Sequence, residues 1–93
     1  MKVSSFVSSA RARILLFLYE NGESRHAKFM QLIKSRGTLG VSLKDLEADK
    51  LIQRRILAEK RPIESYYSLT RKGRRVAIEL LKVKTIIEQD RDD

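Results

Sequence analysis

The amino-acid sequence predicts a mainly helical α+β domain that contains one small β-hairpin. Three segments in its first half carry apolar residues three or four positions apart, the spacing of one helix face. Two short segments in the second half alternate apolar and polar residues, as half-buried strands do. A long amphipathic segment follows them. The predicted order is helix-helix-helix-strand-wing-strand-helix, which is the order of a winged helix-turn-helix.

The first helix is predicted from Ser4 to Asn21. Its apolar face repeats at helical spacing and should supply much of the core. We expect Ser4 or Ser5 to cap its start, because serine hydroxyls accept from the free N–H groups there. Gly22 should end it, since glycine commonly follows a helix C-terminus.

A second helix is predicted from about Arg25 to Ser35, followed by a turn at Arg36-Gly37. Thr38 then caps a third helix that reaches about Lys50. A start at Ser42 is the alternative, because an acidic residue follows three positions later, as in a capping box. A helix from Ser42 would span only about two turns. Two short helices joined by a tight turn form a helix-turn-helix.

The hairpin is predicted between Ile52 and Leu69. Ile52, Ile56 and Ala58 alternate with more polar neighbours, and a second alternating run follows the tip. Pro62 belongs in the turn, because proline cannot donate to a strand ladder. Two strands alone are marginally stable, so we expect the hairpin to pack against the helices.

The last helix is predicted from Arg71 to about Glu88, with Thr70 as its N-cap. Its apolar stripe repeats at four-three-four spacing like a coiled-coil seam. We predict that this stripe joins two copies of the chain; simple packing on the first helix is the alternative. The predicted dimerisation residues are Val76, Leu80, Val83 and Ile87.

The 93 residues are expected to form one domain, residues 1–93. The absence of cysteine excludes disulfides and thiolate metal sites within this sequence. No apolar run approaches the roughly 18 residues of a membrane span, and the N-terminus lacks the apolar region of a secretory signal. We therefore expect a soluble cytoplasmic protein that needs no cofactor.

Enzyme chemistry is not indicated. The single histidine, His26, falls on the apolar face of the second helix and is expected at the core edge. We find no clustered metal ligands, phosphate-binding glycine loop or nucleophile with a base partner.

Positive charge is concentrated in one part of the chain. The net charge is +8, and residues 50–84 hold 11 lysines or arginines against three glutamates, so this window carries the whole excess. A localised basic region is typical of polyanion binders, although a solvated surface is the simpler alternative.

The third helix offers a face for double-stranded DNA. If its leucines point inward, Val41, Lys44 and Asp45 point outward, and the N-terminal residues of such a helix can meet base edges in the major groove. Val41 suits a thymine methyl group and Asp45 a cytosine amine. The residues that we predict to contact DNA are Lys34, Arg36, Thr38, Val41, Ser42, Lys44, Asp45, Arg54, Arg55, Lys60 and Arg61.

The segment from Leu43 to Val76 resembles the winged helix-turn-helix transcriptional regulators of the HxlR, MarR and PadR kind. The resemblance rests on LKDLEADKLIQRR, on Pro62 in the wing, and on the motif Tyr-Ser-Leu-Thr-x-x-Gly that ends at Gly73. Lys50 stands where a glycine often closes the third helix of the family. The cysteine that some HxlR relatives use for sensing is absent.

The resemblance implies a homodimer, joined through its terminal helices, that binds operator DNA and usually represses transcription. It assigns groove reading to Thr38, Gly40, Val41 and Ser42, and the wing contacts to Lys60 and Arg61. The short chain leaves little room for a pocket for a small-molecule effector. Two alternatives stay open: a sequence-neutral architectural DNA-binding protein, and a winged-helix module that binds other proteins.

Overall fold

The computed structural model describes residues 8–59 and 61–89, which form four helices and a three-stranded antiparallel sheet. The sheet order is β1-β3-β2, so the sequence-distant β3 lies in the middle. This arrangement confirms the predicted α+β winged helix-turn-helix. The elements are α1 (Ala10–Asn21), β1 (Ser24–Arg25), α2 (His26–Leu32), α3 (Arg36–Ala48), β2 (Ile52–Leu57), β3 (Glu64–Leu69) and α4 (Arg71–Gln89).

The core lies where α1, α2 and α3 meet the sheet and the first half of α4. Its largest fully buried side chains are Phe29, Ile14, Leu39 and Leu46. The Phe29 ring meets the Tyr67 ring edge-on, with centroids 5.8 Å apart. Such edge-to-face contacts suit the ring quadrupoles, so this pair ties α2 to the central strand.

Both ends of α1 are set by local chemistry. The Ser9 hydroxyl accepts a hydrogen bond from the Ala12 N–H at 3.2 Å, so the helix starts at Ala10, later than predicted. Ser4 and Ser5 lie outside the described residues. Gly22 ends the helix as predicted: its φ of 75° is left-handed, and its N–H donates to the Leu18 carbonyl.

The turn of the helix-turn-helix lies before the position that we predicted. Residue Ile33 is extended, with φ of −127°, so α2 ends at Leu32 rather than near Ser35. The Ser35 hydroxyl then accepts from the Thr38 N–H at 3.2 Å and caps α3. The predicted turn at Arg36-Gly37 and the predicted Thr38 cap are therefore wrong. The helix begins earlier, because the Ser35 hydroxyl already accepts a hydrogen bond from a free backbone N–H of its first turn.

The sheet contains a strand that the sequence analysis missed. Ser24 and Arg25 pair with Tyr67 and Tyr66 of β3. The predicted alternation of β2 also breaks down: Ile52 is buried, yet Ile56 is 50% exposed. Both side chains lie on one face of the strand, so the packed helices cover only the base of the hairpin.

The motif that ends at Gly73 joins α4 to the end of α3. Thr70 Oγ1 accepts from the Gly73 N–H at 3.0 Å, which confirms the predicted cap, and donates to the Lys50 carbonyl at 2.6 Å. Lys50 has a left-handed φ of 60°, a conformation that glycine adopts more readily than other residues. Gly73 is buried directly against the Leu51 backbone. The motif therefore has an architectural role.

Candidate nucleic-acid interface

One face of α3 is free of the core. Leu39, Leu43 and Leu46 are buried on the inner face, as predicted. The opposite face carries Val41, which is 61% exposed, and the exposed Lys44. We call this outer face the α3 stripe; it consists of Gly37, Thr38, Val41, Lys44 and Ala48.

A cation lies on each flank of the α3 stripe. On one flank, Arg11 Nη1 of α1 donates to Asp45 Oδ2 at 2.9 Å. On the other, Arg54 Nε of β2 lies 4.0 Å from Glu47 Oε2. Helical geometry separates Asp45 and Glu47 by about 200° around the axis. Two arginines therefore flank the stripe: Arg11 is hydrogen-bonded to Asp45, and Arg54 lies close to Glu47 of the same helix.

Two of the predicted base-reading positions are less exposed than we expected. Ser42 is buried, at 6% exposure, because it lies on the side of α3 that faces α1. Gly40 is half-buried. Asp45 is partly exposed, but its carboxylate already binds Arg11. Thr38, Val41 and Lys44 remain the predicted residues that share the outer face.

The cations before α3 and in the hairpin are distributed more widely. Lys34 and Arg36 are exposed at the turn and at the first residue of α3. Arg61 is exposed in the connection between β2 and β3, and Lys60 lies outside the described residues. Neighbouring strand residues point to opposite faces. Arg54 therefore faces α3, whereas Arg55 does not.

Arg55 is engaged on the other face of the sheet. Its Nη2 donates to Glu23 Oε1 at 2.8 Å, and its guanidinium lies 5.0 Å from the centre of the Tyr66 ring. The hydrogen bond from Arg55 lowers the pKa of Glu23 below its ordinary value, and the same bond raises the pKa of Arg55. Both arginines are predicted DNA contacts, but only Arg54 lies on the side of the sheet that faces α3.

The polar side chains at the core include those of His26 and Tyr67. His26 is half-buried at the core edge, as expected, with its ring centroid 6.3 Å from that of Tyr67. Burial raises the pKa of the Tyr67 hydroxyl, although Arg54 opposes this shift. Among residues 8–59 and 61–89, no three His, Cys, Asp or Glu side chains are grouped so that they could hold a metal ion. No helix in these ranges has the length and apolar character needed to cross a membrane.

The predicted dimerisation residues divide into two pairs along α4. Val76 and Leu80 are partly buried and pack against the core of their own chain. Val83 is 40% exposed, and its neighbour Ile86, which we did not predict, is 61% exposed. Ile87 is half-buried. The outward apolar surface is therefore displaced toward the C-terminal half of the helix.

Arg11 lies beside the α3 stripe and was not predicted from the sequence. It lies 34 positions from Asp45, and no local pattern links the two. Only the packing of α1 across α3 brings them together. The excess of cations lies from Lys50 onward, whereas α1 holds only two arginines against one glutamate, so composition does not mark it as a DNA contact.

Several solved structures share this fold. A MarR-family transcriptional regulator from Porphyromonas gingivalis W83 matches with a TM-score of 0.71 and 21% identity, over 84% of this chain and 78% of that chain. The redox regulator HypR in its oxidized form matches with a TM-score of 0.72 and 26% identity, over 97% and 98%. The regulator ytfH from Salmonella typhimurium matches with a TM-score of 0.74 and 26% identity, over 95% and 80%.

Among proteins with curated descriptions, none matches this sequence. The model of the HxlR-like helix-turn-helix family, in contrast, matches residues 9–93. This range contains all the helices and strands named above, from α1 to the end of α4. The matching structures with 26% identity are also described as regulators. The chain therefore belongs to the HxlR-like helix-turn-helix family of DNA-binding transcriptional regulators.

Proposed function

We propose that the protein is a homodimeric, sequence-specific DNA-binding repressor. The observation that carries this proposal is the α3 stripe, a solvent-facing helix surface with an arginine on each flank. An α-helix with its side chains is about 10–12 Å wide, and the major groove is about 12 Å wide. The stripe therefore suits insertion into a major groove, with Val41 and Lys44 toward the base edges.

The hairpin would contact the flanking backbone. Arg61 is exposed in the connection between the strands, next to the predicted contact Lys60. Lys34 and Arg36 would bind phosphates beside the N-terminal end of α3. With about six to ten phosphate contacts per dimer, affinity should fall roughly 10³- to 10⁵-fold between 50 and 200 mM salt.

The second half of α4 would form the dimer contact. Val83 and Ile86 expose apolar surface beyond the core of the chain, and burial of such surface favours association. Dimerisation would present two α3 stripes to two half-sites about one helical turn apart.

Selection of bound duplexes from a random-sequence pool, followed by sequencing, tests the specific function. We expect an enriched two-fold symmetric site whose half-sites are about 10 base pairs apart. Binding to that site should survive a large excess of mixed-sequence duplex and should weaken steeply with salt. Salt-independent binding, or no binding to any duplex, would contradict the proposal.

The dimer contact has its own test with a matched control. Ile86 and Val41 are both 61% exposed, one on α4 and one on α3. We expect Ile86→Glu to yield monomers in analytical ultracentrifugation, because it places a charge in the proposed apolar contact. Val41→Glu should leave the dimer intact and weaken DNA binding. Dimers of unchanged stability in Ile86→Glu would exclude α4 as the contact.

A sequence-neutral architectural role is the second candidate, and the composition of the α3 stripe favours it. The stripe contains glycine, valine and alanine but no asparagine, glutamine or arginine, the side chains that pair most specifically with bases. Binding would then depend on phosphate contacts and DNA shape. Loss of all binding preference under mixed-sequence competition would favour this candidate.

A further inference from the structure

The ion pair between Arg11 and Asp45 lies at the edge of the proposed DNA-binding surface. Arg11 is in the first turn of α1, and the side chains of Arg11 and Asp45 are 58% and 45% exposed. The two residues border a shallow groove of about 440 Å³ that Thr38 and Val41 also line. Arg11 is therefore next to the α3 stripe and open to solvent.

Asp45 lies on the flank of α3, and this position determines which part of the DNA its carboxylate faces. A helix about 10–12 Å wide fills a groove about 12 Å wide, so its flanks face the sugar-phosphate walls. A bare carboxylate at a wall would be repelled by the phosphates. Arg11 covers this carboxylate, which makes the flank electrostatically compatible with DNA.

The bond to Asp45 uses only part of the hydrogen-bonding capacity of the Arg11 guanidinium. It has five N–H donors, and the bond to Asp45 Oδ2 is made by Nη1. The carboxylate holds the side chain beside the stripe, so less rotamer freedom is lost when a phosphate binds the remaining donors. A planar guanidinium with several donors can bridge two anions better than an ammonium group can.

We propose that Arg11 binds a DNA phosphate at the edge of the major groove, and that Asp45 is its positioning residue. This inference rests on the proposed DNA-binding function and gives Asp45 a role other than the cytosine contact expected from the sequence. Arg54, which lies 4.0 Å from Glu47 on the opposite flank, would face the other wall of the groove.

The first experiment compares Arg11→Ala with Arg13→Ala on a mixed-sequence duplex of about 30 base pairs, long enough for two half-sites. Arg13 is the matched control, because it lies on the same helix and its Nη2 donates to the Leu32 carbonyl at 2.7 Å, away from α3. Loss of two phosphate contacts per dimer should weaken binding at least about tenfold and make the salt slope shallower by about 2. Arg13→Ala should change both less, and Arg11→Lys should keep most of the slope.

The second experiment introduces Asp45→Ala into the Arg11→Ala variant and compares the DNA affinity of the double variant with that of Arg11→Ala. In Arg11→Ala the carboxylate stands uncovered beside a phosphate, so its removal should restore affinity by about threefold or more. If Asp45 itself contacts DNA, the double variant binds more weakly than Arg11→Ala, and the positioning role is overturned. Thermal unfolding should confirm that every variant is folded, since an exposed ion pair contributes only about 0–1 kcal/mol to stability.

The outcomes separate the two proposals. If the unaltered protein fails to bind any duplex, the proposed function is wrong and this inference with it. If the unaltered protein binds with a steep salt dependence, but Arg11→Ala binds with the same affinity and slope, only the role of Arg11 is wrong.

Discussion

Gly73 allows a quantitative test of how α4 is held against α3. It is buried at the start of α4, and a Cβ at this position would lie 2.8 Å from the Leu51 carbonyl carbon and closer still to the carbonyl oxygen. The obstacle is backbone that also accepts the Thr70 N–H at 3.1 Å. Gly73→Ala can therefore be accommodated only if α4 moves away from the end of α3.

The substitution Gly73→Ala should remove a large share of the free energy of unfolding of a chain of this size. Forced overpacking costs about 1–3 kcal/mol and occasionally more. Here the clash is with backbone, so we expect about 3 kcal/mol at Gly73, against a total stability of about 5–14 kcal/mol for 93 residues. With a urea m-value of about 1–2 kcal/mol/M, the midpoint should fall by about 1.5–3 M.

Gly40→Ala is the matched control, because the same atom is added at a helical glycine. A Cβ at Gly40 meets nothing within 4 Å, and alanine is favoured over glycine in a helix by about 1 kcal/mol. Urea unfolding at one fixed protein concentration should therefore move the two midpoints in opposite directions. A Gly73→Ala midpoint equal to that of the unaltered protein would refute the packing described for Leu51.

Three further predictions concern single residues outside the α3 stripe. Lys50→Gly should stabilise the protein by about 1 kcal/mol, because the left-handed φ of 60° suits glycine; Lys50→Asn should give a smaller gain, and a lower urea midpoint for both would contradict this. Thr70→Val removes both bonds of Oγ1 and should cost about 1–2 kcal/mol in urea unfolding, whereas Thr70→Ser should cost much less; equal losses would exclude the cap as the cause. Arg55→Ala should raise the pKa of the Glu23 carboxyl toward its ordinary 4.5, measured by NMR titration, because the hydrogen bond from Arg55 now lowers it. The stability that this pair contributes is present above the ordinary carboxyl pKa and is lost as the pH falls through the lowered pKa of the folded state. An unchanged pKa of Glu23 in Arg55→Ala would contradict the contact.

The order and type of the main elements could be predicted from the sequence because their signals are local. Helical spacing indicated the four helices, and alternation with Pro62 indicated the hairpin. Gly22 and Thr70 marked a helix end and a helix start that the structure confirms. Each of these signals depends on residues a few positions apart, whose preferences survive in almost any surroundings.

Only the tertiary structure decided which of these residues face solvent and which partners they meet. The two residues of β1 become a strand because they pair with the backbone of β3, some 40 positions away. Packing of α1 against α3 buries Ser42 and brings Arg11 to Asp45. Ile56 keeps strand geometry but stays exposed, because none of the four helices in residues 8–59 and 61–89 covers its part of the hairpin. These outcomes depend on contacts between distant segments, whereas periodicity and capping report only on neighbours along the chain.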